Sequence, residues 1–172
     1  MEPEQDITVE QKRQPWLLSL LFDNQIPIWK YVLRTGLISL VPSLIISMIL
    51  GVTGVINEDT GPEFKGSAIG LLIGLVIIGP PLETLLMGGG LWILSFITKR
   101  PVRLAIISAF VWAGLHSLMA PAWGLGVIWP FFVFSCSYLS WRRRSWWRAI
   151  FVTSCVHAFQ NILPAIVVIA TL

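Results

Sequence analysis

From Ile28 onward the chain is a succession of long apolar runs separated by short polar loops. That alternation leaves few folds open to it. A helix crosses the hydrocarbon of a bilayer in roughly 20 apolar residues, and the runs here reach that length. Composition agrees: 55% of the 172 residues are hydrophobic and 12% are charged, against about 25% charged in soluble domains. The mean hydropathy is +0.77. The expected fold is all-α: a polytopic membrane helix bundle of about five transmembrane helices plus a short N-terminal interfacial helix.

The organisation follows from the same pattern. Residues 1–27 read as a polar N-terminal tail and an amphipathic interfacial helix over about Pro15 to Asp23, where Trp16 suits a membrane interface. The start is mixed-charge and polar, unlike a secretory signal. Residues 28–172 read as one transmembrane bundle. Its helices are expected at about 28–55, 67–98, 102–120, 124–141 and 147–172. The second is too long for one straight span, and Pro80-Pro81 should bend or break it.

Loop charge orients the bundle. Lys12, Arg13, Lys30 and Arg34 precede or open the first span, Lys99, Arg100 and Arg103 follow the second, and Arg142, Arg143, Arg144 and Arg148 follow the fourth. The loop 56–66 is net acidic and the turn around Pro121 is uncharged. By the positive-inside rule the N-terminus is cytoplasmic and the C-terminus outside, which makes an integral membrane protein, expected in a prokaryotic plasma membrane. The formal charge of +3 does not point to nucleic acid. "WRRRSWWR" reads as a basic interface loop with aromatic anchors. Cys136 and Cys155 lie in apolar segments without zinc-site spacing and read as small buried hydrophobes. The glycines of "MGGGLW" mark a place for close helix approach. No internal repeat or low-complexity tract stands out.

Against this background four residues are out of place. Glu83 is the only acidic residue between Phe64 and Leu172. The two histidines, His116 and His157, both fall inside spans, and Asn161 follows His157 by four residues, on the same helix face. Ionisable residues inside a membrane usually face the bundle interior and mark function. Counted from the cytoplasmic helix ends at about 1.5 Å per residue, Glu83 lies roughly 22 Å in, His116 roughly 18 Å, His157 roughly 14 Å and Asn161 roughly 20 Å. The four are therefore expected in one layer. Each alone has a plainer reading: a hydrogen-bonded core His, an interhelical Asn, a structural carboxyl. Together they permit activation of water by carboxylate and imidazole, with His and Asn donating to an oxyanion. Glu83, His116 and His157 could instead bind zinc, although no HExxH is present.

These residues resemble the motifs of the CPBP family of intramembrane endopeptidases, which includes the CAAX prenyl-protein proteases and bacteriocin-processing relatives. The family carries EExxxR, FxxxH and HxxxN on separate helices. The third motif matches His157-Ala-Phe-Gln-Asn161, and the second matches Trp112-Ala-Gly-Leu-His116 with Trp for Phe. The first is degenerate: Glu83 follows Pro80-Pro81-Leu82, but Thr84 replaces the second Glu and Gly88 the Arg. The resemblance covers residues 67–172. It implies that Glu83 and His116 activate the water and that His157 and Asn161 form the oxyanion hole. Thr84 and Trp112 would contact the substrate, and no cofactor would be needed. The implied function is endopeptidase cleavage of a membrane-embedded peptide or protein. The alternative is a non-catalytic binding, adaptor or immunity protein on the same fold. A proton- or ion-conducting subunit is a third reading, and the lack of an inverted repeat speaks against it.

Overall fold

The computed structural model describes residues 15–57 and 59–170, so the tail 1–14 lies outside the described residues. Every regular element among them is helical: α1 (Trp16–Phe22), α2 (Ile28–Val52), α3 (Ala68–Leu72), a π-helical segment (Ile73–Ile78), α4 (Gly79–Leu94), α5 (Pro101–Ser117), α6 (Trp123–Arg142) and α7 (Trp146–Ala170). Among the described residues four stretches are long and apolar enough to cross a membrane: Ile28–Val52, Ala68–Leu94, Trp123–Arg142 and Trp146–Ala170. The fifth expected span, α5, is apolar but only 17 residues long.

The helices are inverted relative to those of a soluble bundle. On α2 the residues at four-residue spacing that face inward are Tyr31, Thr35, Ser39 and Ser43, all buried. Leu33, Leu37, Val41, Ile45, Met48 and Ile49 face outward and are exposed. Lipid offers no hydrophobic drive to bring helices together, so close packing of small residues and interhelical hydrogen bonds must do it. Those bonds are present: Gln160 Nε2 donates to Ser43 Oγ at 2.7 Å, Ser135 Oγ to Ser108 Oγ at 2.9 Å, and Thr153 Oγ1 to Ser137 Oγ at 3.1 Å. Trp129 Nε1 reaches the Ile38 carbonyl at 2.9 Å. Larger side chains fill the centre, chiefly Met87, Leu91, Phe131, Phe134, Tyr138 and Trp141.

α1 is bolted to the bundle rather than simply laid on the membrane. Leu21 is fully buried beside Ala105, Val133 and Cys136. The last carbonyls of α1 lack helical partners and are taken by side chains. Arg34 Nη2 donates to Leu20 O at 2.6 Å and Tyr31 Oη to Leu21 O at 2.6 Å. Ser140 Oγ donates to Phe22 O at 3.1 Å, and Asn24 Nδ2 returns a bond to Ser140 O at 2.8 Å. Trp16 keeps the exposed position expected of an interfacial anchor.

Of the three glycines in "MGGGLW", one matters for packing. A Cβ on Gly88 would meet the Tyr138 ring and hydroxyl at 2.6 Å, whereas nothing lies within 4 Å of one on Gly89 or Gly90. Overpacking a closed interface costs about 1–3 kcal/mol, more than the roughly 1 kcal/mol that Ala gains over Gly in a helix. Gly88→Ala should therefore lower the thermal midpoint in detergent, and Gly89→Ala should leave it unchanged or raise it. Equal shifts for the two would contradict the packing role.

Candidate functional site

The break in the second span is built from missing donors. Pro80 and Pro81 have no N–H, and a helical proline also pushes against the carbonyl four residues before it. The chain answers by widening into the π segment just ahead of them, where the Gly79 N–H bonds to Gly74 O, five residues back. Gly79 is required there, because a Cβ on it would lie 2.8 Å from that same oxygen. This register strands Leu75 O. Its α-helical donor, Gly79, is already spent on Gly74, and its π-helical donor would be Pro80. Asn161 supplies what is missing: its Nδ2 donates to Leu75 O at 2.9 Å.

Glu83 stands one turn beyond the break, with its carboxylate over Gly79. Its Oε2 lies 3.9 Å from Nε2 of His157 on α7, and the side chains are 33% and 5% exposed, respectively. The partner of Glu83 is thus His157, where the family pattern implied His116. Helix ends account for the difference. α4 stops at Leu94, and residues 95–98 wind into tighter turns (Phe96 N to Ile93 O, Ile97 N to Leu94 O). Eleven residues separate Glu83 from the end of α4, and eleven separate His157 from the start of α7. At about 1.5 Å per residue both lie roughly 16 Å in, and His116 lies roughly 22 Å in.

His116 occupies the last turn of α5, half-buried. Its Nδ1 is 2.8 Å from Trp112 O. A carbonyl can only accept, so Nδ1 carries the proton and Nε2 of the neutral ring is left as an acceptor. The two imidazoles share an aromatic wall. Phe131 lies 5.1 Å from the His116 ring and 5.8 Å from the His157 ring, and Phe134 stacks on His157 at 4.3 Å. Trp123 meets His116 edge-on at 4.7 Å. α5 and α6 are held close enough for this because the turn between them is tight: a Cβ on Gly124 would collide with Ser117 Oγ and Ala113 O. The site therefore joins Glu83, His157, Asn161 and, across Phe131, His116.

The two expected substrate contacts, Thr84 and Trp112, both pack within the bundle. Thr84 is 1% exposed, with no partner for its Oγ1, so it faces the packed interior and offers nothing to a substrate. Trp112 is half-buried and stacks flat on Phe131 at 4.8 Å, as part of the wall behind the histidines. Gly88, in the place of the family's Arg, is covered by Tyr138, so the volume such an arginine would need is filled. Among the described residues no group of three or more His, Cys, Asp or Glu side chains is arranged to hold a metal ion. The zinc set Glu83–His116–His157 is not assembled here. The chain matches no protein-family model, no curated protein and no solved structure.

Phe131, Phe134 and the Leu75 carbonyl were not singled out from the sequence. The carbonyl had a signal: any Pro-Pro pair inside a span removes two donors, and an intramembrane Asn is a natural replacement. An interhelical hydrogen bond in a membrane is worth about 0.6–2 kcal/mol, so Asn161→Leu should lower stability by about that much. Pro80→Ala restores an N–H five residues from Leu75. In a double-mutant cycle it should offset part of the Asn161→Leu loss; strict additivity would show that the bond does not carry the break.

Proposed function

We propose that this chain is an intramembrane endopeptidase of the kind its motifs resemble, in which Glu83 deprotonates a water for attack on the peptide bond of a membrane-embedded substrate. The observation that carries the reading is the Glu83–His157 approach between α4 and α7, the single carboxylate–imidazole pair among the described residues. At 3.9 Å the two atoms are too far apart for a hydrogen bond. A water about 2.8 Å from each would close the gap at an angle of about 90°.

The chemistry balances on these groups. The water O–H breaks, its proton passes to Glu83, and the oxygen bonds to the scissile carbonyl carbon. The oxyanion that forms accepts the second Nδ2 hydrogen of Asn161, the first being engaged by Leu75 O. The C–N bond then breaks, and the amine leaves with the proton Glu83 took up. His116 Nε2 is a further acceptor at the outer side of the wall. The arginines at the α6–α7 turn and the start of α2 share one end of the bundle, where Arg144 Nη2 donates to Gln25 Oε1 at 2.6 Å. This supports a cytoplasmic N-terminus and an outer C-terminus.

One observation favours the alternative, a non-catalytic binding or adaptor protein: His157 is nearly enclosed by Phe134 and its neighbours. The test is the purified protein in liposomes with a library of single-span peptides, new termini being read by mass spectrometry. Glu83→Gln should lower cleavage by about 10²-fold or more at unchanged thermal midpoint; His157→Ala should lower cleavage likewise, with a lower midpoint because it empties a buried position. If biological activity of the chain survives both substitutions in full, the binding reading replaces the peptidase.

A further inference from the structure

On the lipid-facing side, away from Glu83, the N-terminal halves of α2 and α7 diverge around a groove of about 640 Å³ lined by Ile28, Trp29, Val32, Leu33, Phe151, Cys155 and Phe159. Its inner end is closed where the helices touch: a Cβ on Gly36 would lie 2.5 Å from the Phe159 ring. From Phe151 to Phe159 it runs about 12 Å along α7. Every lining side chain is uncharged and nearly all are apolar.

The mouth is different. Arg148 is three residues before Phe151, on the same face of α7 as Phe151, Cys155 and Phe159, and it is exposed. Lys30 is exposed, and its ammonium rests 5.3 Å over the ring of Trp29, which lines the groove. The first turn of α2 has no side-chain cap, so its free N–H groups add partial positive charge. The nearby carboxylate, Asp23, is neutralised by Arg34 at 3.2 Å. An apolar slot, closed at depth and cationic at the membrane surface, matches one amphiphile: an acyl chain below an anionic phosphate.

We propose that this groove binds an anionic phospholipid, with one acyl chain along Phe151 and Cys155 and the phosphate between Arg148 and Lys30. The site is separate from the candidate active site and does not depend on it. Beside an anionic lipid each cation contributes a factor of about five.

The experiment uses the full chain in nanodiscs of mixed phosphatidylglycerol and phosphatidylcholine, with retained lipid counted by native mass spectrometry after detergent release. Wild type should keep phosphatidylglycerol in preference to phosphatidylcholine. Lys30→Gln with Arg148→Gln should cut that preference roughly 25-fold, and Lys30→Arg with Arg148→Lys should preserve it. Cys155→Trp fills the groove, leaves both cations in place, and should displace the lipid. Gel filtration and thermal midpoints check that each variant folds. Equal retention of the two lipids by wild type would overturn the proposal. So would undiminished retention in Cys155→Trp, which would mean a phosphate held on the surface alone, or a second copy of the chain seated in the groove that phosphatidylglycerol does not displace.

Discussion

A backbone carbonyl without a donor is the constraint around which the candidate site is arranged. In water Leu75 O would find a solvent hydrogen; in hydrocarbon it must find one in the protein. Pro80-Pro81 creates the need, the π segment extends it to Leu75 O, and Asn161 meets it there. The same bond sets the register of α7 against the second span. With Asn161 fixed at Leu75, His157 comes down one turn away, facing the turn of α4 that carries Glu83. The 3.9 Å approach of carboxylate and imidazole thus rests on a bond that touches neither.

The rest of the bundle keeps that register by close contact rather than by bulk. Gly36 admits the Phe159 ring, Gly88 admits Tyr138, and Gly124 lets α6 turn back on α5. At each place one chain element reaches where a side chain would otherwise stand. Tyr138 is instructive. The resembled family has an arginine and a second glutamate in its first motif, and here Gly88 and Thr84 stand in their places with a phenol packed into the opening. An arginine put back at 88 would have to evict a buried tyrosine, so the altered motif is a matter of packing as much as of charge.

The fold was largely legible because its signals are long: runs of apolar residues, prolines inside them, and basic loops between them. The site was legible as a set of residues, since Glu83, His157 and Asn161 are conspicuous in such surroundings. Their pairing was not. It turned on where α4 ends, and the tight turns at residues 95–98 have no strong sequence mark; four residues misplace a side chain by about 6 Å. Phe131 and Phe134 were hidden because α6 is apolar on every side and gives no periodicity to read. The clamp on α1 was hidden for another reason: Arg34, Tyr31 and Ser140 bind its carbonyls, and a carbonyl looks alike at every residue.

The brevity of α5 has a consequence for the membrane itself. Its 17 residues reach only about 25 Å, short of a hydrocarbon thickness of about 30 Å, and Ile106, Phe110, Val111 and Leu115 leave its flank open to lipid. A short lipid-facing helix draws the bilayer surface toward it. His116 sits in the last turn of α5, so a dip at that end would bring headgroups toward its imidazole. Water drawn in at that end would meet His116 first, with the Phe131 and Phe134 rings between it and His157. The length of a single helix would thus set how near the membrane surface comes to the histidines.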